Sequence, residues 1–186
     1  MNIVTKYPIN CFYTTVPVME HSYIKPKLLE MIDSHPFDGT NPDISKVDWH
    51  SSMNFDREWI QFIKPYLDNY NKIIGDATGY ENPTITDLWF QQYIKNDKHD
   101  WHIHGQQMVG VYFLELPDDA PRTELISPFL QNEKIVVDVK EGDILIFPSI
   151  IIHKAPVVTG DRKTILSWNF HYEQPNPSTL ESINSL

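Results

Sequence analysis

Residues 142 to 162 read GDILIFPSIIIHKAPVVTGDR, and no other stretch says as much about how this chain folds. Glu141, Gly142 and Asp143 make a tight turn, Ile144 to Phe147 a buried strand, and Pro148 a directed bend. A lone histidine, His153, then follows three isoleucines. Sequence that apolar buries the imidazole, and a buried imidazole needs a partner, either a metal ion or a backbone carbonyl.

A second cluster lies upstream, where residues 99 to 107 read HDWHIHGQQ. On an extended strand alternate residues share a face, so Asp100, His102 and His104 are expected to project one way and His99 and Trp101 the other. An H-x-H pair of this kind can offer two imidazoles to one ion. Taken alone it also describes ordinary histidines satisfied by their neighbours.

Around these clusters the chain divides by periodicity. After a strand-like opening from Asn10 to Val18, the first half has helical spacing. Leu28, Leu29 and Ile32 share a side within Ile24 to His35, with Pro26 tolerable in a first turn, and a turn-rich break follows from Pro36 to Asp43. Trp59, Ile60, Ile63, Leu67, Tyr70 and Ile74 then mark an amphipathic helix with a kink or restart at Pro65. From Thr84 onward the pattern becomes short β-rich runs: TITDLWFQQYI, MVGVYFLEL, ISPFLQN, KIVVDV, DILIFPS and RKTILSWNFHY. Their hairpin-length connections indicate a sandwich or barrel of the jelly-roll kind. The expected organisation is one domain over 1–186, with a helical support region (1–83), a β-barrel core (84–172) and a C-terminal tail or short helix (173–186).

Composition narrows the partners. Hydrophobic residues make up 41% of the 186, enough for a packed core. A net charge of −10 has the wrong sign for holding a phosphate backbone, so nucleic acid is not expected. Cys11 is the only cysteine, which excludes an internal disulfide and any cysteine-rich zinc or iron–sulfur site. A metal here must be held by His, Asp, Glu or other nitrogen and oxygen ligands. The amino terminus has no secretory signal pattern, and the longest apolar run, ILIFPSIII, is too short to span a bilayer. The protein reads as soluble and cytoplasmic, without a membrane partner.

Together, WHIHGQQMVGVYFLEL (101–116) and GDILIFPSIIIHKAPVVTGDRKTILSWNF (142–170) resemble the catalytic core of the Fe(II)- and 2-oxoglutarate-dependent oxygenases, in particular short bacterial and phage-type members related to prolyl hydroxylases. The resemblance covers Leu88 to Tyr172, about half the chain. It implies a double-stranded β-helix and a dioxygenase that hydroxylates a C–H bond while decarboxylating 2-oxoglutarate to succinate. It implies Fe(II) at a facial triad and a cation with a hydroxyl for the far carboxylate of 2-oxoglutarate. Arg162 and Thr164, two apart on one strand, resemble the family's Arg-x-Ser/Thr pair and are expected to face the barrel interior. Tyr93, sharing a face with Trp89 and Gln91, could bond the cosubstrate or simply pack in the core, and Tyr112 has a similar claim. Trp168 and Asn169 are expected near the barrel mouth or floor.

The chain departs from the family at the acid position, where H-x-D or H-x-E is usual. Three ligand sets follow: His102, His104 and His153; Asp100 with His102 and His153; or His104 and His153 with Gln106. The spacing rule for one face of a strand is best met by the first. Asp100 could instead orient a ligand imidazole. His21, His35, His50 and His171 have no such context and read as surface or capping residues, although His171 could approach the site from the last strand. A small molecule or a peptide is the expected substrate, and the oligomeric state stays open. The competing readings are a cupin-type metal protein with three histidines, to which H-x-H and the later G-D…P…H also correspond, and a catalytically inactive barrel. Arg162 and Thr164 favour the oxygenase, since a cupin has no standing need for them.

Overall fold

The computed structural model describes residues 14–36, 41–128, 130 and 132–185. Cys11 and the first part of the strand-like opening, residues 37–40 of the turn-rich break, Phe129, Gln131 and the last tail residue lie outside them. Six strands pair in the order β1 (Thr14–Pro17), β8 (Asp143–Pro148), β5 (Met108–Glu115), β10 (Lys163–Pro175), β3 (Tyr80–Tyr93) and β2 (Lys46–Val47). Four shorter strands make a second sheet, in the order β4 (His99–His102), β9 (His153–Ala155), β6 (Glu124–Ile126) and β7 (Lys134–Val136). All named pairings are antiparallel, and among the described residues none joins the two sheets. The described residues are therefore mainly β, with two antiparallel sheets and three α-helices rather than a closed ladder.

The large sheet is buried on both sides, and its strands alternate accordingly. Leu88 and Phe90 of β3, Tyr112 and Leu114 of β5, Ile144 and Ile146 of β8, and Leu166, Trp168 and Phe170 of β10 pack against the helices. Trp89 and Tyr93, Val109, Val111 and Phe113, Leu145 and Phe147, and Ile165 face the second sheet, where Leu125, Val137 and Val139 complete the core. The expectation that Trp168 lies near the barrel mouth or floor is thus corrected: it sits on the helix side, fully buried, with its indole N–H donating to Asn71 Oδ1 at 3.2 Å.

Two helices supply the other half of that first core. α1 (His21–Ser34) buries Ile24, Leu28 and Ile32, spaced at one turn. It begins three residues before Ile24, so Pro26 falls in the second turn rather than the first. α2 (Glu58–Thr78) runs unbroken through Pro65, where the sequence suggests a kink or restart. Both prolines are exposed, as are Ser22 and Gln61 four residues earlier, so water can satisfy the carbonyls that lose an N–H partner. α2 stops at Gly79, whose φ of 89° takes the left-handed cap that glycine adopts without strain. The tail forms α3 (Pro177–Asn184), capped by the Asn176 side chain on the Thr179 N–H. No helix among the described residues is long and apolar enough to cross a membrane.

The segment before α2 is tied to the large sheet by one buried carboxylate. Asp48 Oδ2 accepts from the Arg57 guanidinium and from the Trp59 indole at 3.1 Å, and its Oδ1 accepts from the Phe90 N–H at 2.8 Å. Arg57 continues to the Leu88 carbonyl at 2.6 Å. A buried charge is tolerable only with such complete pairing.

One close approach locks the sheet itself. Trp168 of β10 lies directly across from Gly110 of β5, and a Cβ built on Gly110 would fall 2.0 Å from the indole. Gly110→Ala is expected to destabilise the chain by about 3 kcal/mol through overpacking, read as a lower urea midpoint with an unchanged m-value.

Candidate metal centre and cleft

β4 and β9 are neighbours in the small sheet, and His102 lies directly across from His153. His104 follows where β4 leaves the sheet, its backbone N–H held by the Ser149 carbonyl at 3.0 Å. One ring nitrogen from each of His102, His104 and His153 lies within 4.8 Å of the others. The first of the three ligand sets is the one the structure brings together.

Each ring is oriented by its other nitrogen. His102 Nδ1 bonds the Asp100 carbonyl at 2.6 Å, His153 Nδ1 the Ile151 carbonyl at 2.8 Å, and His104 Nδ1 the Asn169 Oδ1 at 2.7 Å. All three partners are acceptors, so Nδ1 carries the proton and each Nε2 keeps its lone pair. Burial depresses the basicity of all three, His153 to about 3, and the hydrogen bonds to Asp100, Asn169 and Ile151 partly oppose this. Neutral imidazoles with preset tautomers are the form a transition metal binds.

The alternative ligands go elsewhere. The Asp100 side chain is exposed and pairs with Lys98 at 2.5 Å, so it is the residue's backbone oxygen that orients His102. Gln106 turns its amide to Asp87 at 3.2 Å. His99 was expected on the opposite face from His102, yet the two rings stack with centroids 3.9 Å apart. A register shift in the β4–β9 pair between them supplies the reason: the extra residue of a bulge reverses the alternation. Burial, and then the neighbouring His102 and His104, push His99 down to about 4.

The cosubstrate pair is also corrected. Arg162 and Thr164 do share a face, but it is the face opposite the histidines. Arg162 donates to both oxygens of Glu115, at 2.9 and 3.0 Å, and to Asp33 at 2.9 Å, and the Thr164 hydroxyl bonds Glu115 as well. Tyr112 is likewise on the helix side, its hydroxyl 2.7 Å from His21 Nδ1. Period-two spacing tells which residues share a face and not which face is inside.

Between Arg162 and Thr164, the residue that points inward is Lys163, paired across from Tyr93. It is fully buried. Its ammonium donates to the Pro121 carbonyl at 3.0 Å and lies 5.8 Å from the ring centroids of Tyr93 and Phe113. Desolvation, with the nearby Arg122 charge, pulls it down to about 8. The Tyr93 hydroxyl is buried with no hydrogen-bond partner, and burial pushes its phenol above the usual range, so it stays protonated. A cation and an orphaned donor under one roof are the chemistry of a carboxylate site. Tyr93, Thr123, Ile165 and Ser167 line, with the three histidines, a narrow recess of about 30 Å³.

Outside the recess a cleft of about 540 Å³ opens over the histidines. Trp49, His50, Asp87, Gln106 and Asn169 line it, and it shares His99, His102 and His104 with the recess. His50, otherwise read as a surface residue, is therefore at the mouth, edge-on to the exposed Trp49 at 5.4 Å. His21 bonds Tyr112, and His35 packs against Phe90; neither lines the cleft. His171 does not line it either.

Solved structures share this fold at low sequence identity. An oxidoreductase of the 2OG-Fe(II) oxygenase family from Burkholderia pseudomallei superposes with a TM-score of 0.69 at 13% identity, over 85% of this chain and 83% of that one. A prolyl hydroxylase from Trichoplax adhaerens, in complex with a hypoxia inducible factor peptide fragment, gives 0.64 at 17% identity, over 87% and 85%. HygX from Streptomyces hygroscopicus, with nickel and 2-oxoglutarate bound, gives 0.64 at 8% identity, over 87% and 84%. No protein-family model and no curated protein matches the sequence.

The buried ammonium has a measurable cost. Lys163 loses its proton near pH 8 when folded and near 10.5 when unfolded, so the unfolded chain binds the extra proton between those values and stability from this group rises with pH across that window. Lys163→Met, which removes the charge but strands the Pro121 carbonyl, is expected to raise the stability of the ligand-free chain by about 2 kcal/mol at pH 7. Melting curves of both proteins should show that advantage shrinking from pH 8 toward pH 10.

Proposed function

We propose that this chain is an Fe(II)- and 2-oxoglutarate-dependent dioxygenase. The observation that carries the reading is the conjunction of three Nε2 lone pairs, each preset by an Nδ1 hydrogen bond, with an inward ammonium and an unpartnered phenol in the adjoining core. The fold it shares with the oxygenases above supports the same reading, and the finer description of that fold, a double-stranded β-helix over 84–172 within a single domain, goes with it. Both cores lie on the same six-stranded sheet, which is why one domain is the natural unit.

His102, His104 and His153 would hold the iron. Three imidazoles suit Fe(II), and because all are neutral they leave the ion its full double charge toward an anionic cosubstrate. Lys163 and Tyr93 would take the far carboxylate of 2-oxoglutarate, the ammonium by charge and the phenol as a hydrogen-bond donor. The recess is narrow, so a five-carbon dicarboxylate entering it must part the side chains around Tyr93 and Thr123. When bound, iron and 2-oxoglutarate supply oxidation by dioxygen: one oxygen atom enters a substrate C–H bond as a hydroxyl, and the other enters succinate as carbon dioxide leaves. The chain's own part is to orient the ligands, keep water from the recess and hold the substrate over the histidines.

The cleft admits a small molecule or a short peptide segment, the class to which the Trichoplax enzyme's peptide belongs. Arg162 has no share in this assignment; its role is to clip β10 to Glu115 and to Asp33 of α1.

Anaerobic titration with Fe(II) and then 2-oxoglutarate tests the reading, with the visible charge-transfer band of the chelate and thermal stabilisation as readouts. The parent is expected to respond to both additions. His153→Ala should lose metal binding, Lys163→Met should bind metal and lose the response to 2-oxoglutarate, and Arg162→Ala should keep both. Iron binding with no response to 2-oxoglutarate in the parent would overturn the oxygenase and favour the cupin-type protein, whereas no iron binding would favour an inactive barrel.

A further inference from the structure

The acid that the family's ligand pattern places at position 104 is not missing from the neighbourhood of this site. His104 Nδ1–H donates to Asn169 Oδ1 at 2.7 Å, and the amide nitrogen of the same Asn169 donates to Asp87 Oδ2 at 3.4 Å. Asp87 is itself held in place. Its Oδ2 accepts from the Thr86 hydroxyl at 2.8 Å and from the Gln106 amide at 3.2 Å. Gln106, the side chain two residues after His104, is thereby spent on the carboxylate rather than on a metal. Asn169 and Asp87 face each other across the β10–β3 ladder, so the connection is built into the large sheet. Both residues border the cleft above the histidines.

The amide in this chain transmits charge. A carboxylate accepting from an amide N–H increases the negative character of the amide oxygen, and that oxygen holds the imidazole N–H. The result is a fixed His104 ring and a more strongly donating Nε2, the effect that second partners have on metal-bound histidines in general. The other two rings differ: His102 and His153 each bond a backbone carbonyl two residues earlier, and a neutral carbonyl carries no net charge.

We propose that Asn169 and Asp87 are positioning residues that return the absent carboxylate to the metal centre at one remove, through His104. The proposal rests on the metal-binding reading of the three histidines. It predicts that His104 is the ligand whose strength depends on distant residues, and that Asp87 matters by its charge.

Anaerobic Co(II) titration of the full chain tests it, following affinity by calorimetry and ligand geometry by the visible cobalt bands, with thermal melts to confirm folding. Asn169→Ala is expected to lower Co(II) affinity by roughly ten- to a hundred-fold and to shift the bands. Asp87→Asn, which keeps the shape and removes the charge, should lose affinity in the same direction by a smaller factor. The exchanged pair Asp87→Asn with Asn169→Asp puts the carboxylate directly on the His104 N–H and should restore binding and the parent bands. Parent affinity and bands in Asn169→Ala would overturn the proposal while leaving the metal site standing, as would an exchanged pair no better than Asn169→Ala. A parent that takes up no Co(II) would overturn the metal-binding reading and this proposal together.

Discussion

Strand β10 is covered on both faces and paired on both edges, by β5 and by β3, and the alternation of its side chains constrains everything around it. Leu166, Trp168 and Phe170 go to the helices, while Lys163, Ile165, Ser167 and Asn169 go to the space between the sheets. A slip of one residue would exchange the two sets, placing an indole among the histidines and an ammonium against α2. The contact of Trp168 with Gly110 makes that slip costly, because the indole fits only where the opposite residue has no side chain. The register that packs the helix core therefore also delivers Lys163 to the core between the sheets, beside Tyr93 and Phe113, and Asn169 to His104.

The three-histidine cluster is assembled by two kinds of constraint. His102 and His153 are oriented locally, each by a carbonyl two residues earlier, and their meeting follows from the β4–β9 pairing. His104 is oriented from the large sheet. The three-histidine set is thus carried by the small sheet and braced from the large one, and its geometry depends on how they sit face to face. The fourth imidazole, His99, belongs to the same group by virtue of a bulge, where it stacks on His102 and borders both the cleft and the recess.

Polar groups on the large sheet are either fully paired or conspicuously not. Asp48 collects an arginine, an indole and a backbone amide, which makes it a fastening for the start of α2. Lys163 and Tyr93 lie equally deep with one carbonyl between them. Incomplete pairing at that depth is destabilising in the ligand-free chain, and such residues make sense where a ligand supplies the rest.

Much of this was readable from residue order. The two amphipathic helices follow from periodicity, and the strands at 108–115 and 143–148 from apolar runs between turn signals. The histidines at 102, 104 and 153 stand out because an H-x-H pair can offer two imidazoles from one strand, and an imidazole after three isoleucines is buried and costly unless it is partnered. What residue order cannot express is which of two faces looks inward, since period two is unchanged by a shift of one. Arg162 and Thr164 satisfied the spacing and landed on the helix side, whereas Lys163, which lies between them on the same run, landed inside. In the same way the bulge that turns His99 inward and the pairing that brings Asp87 to Asn169 are properties of strand register. The sequence by itself determined the kinds of element and the candidate histidines. The tertiary structure decided which side chains meet, because facing is set by packing between sheets and helices and not by order along the chain.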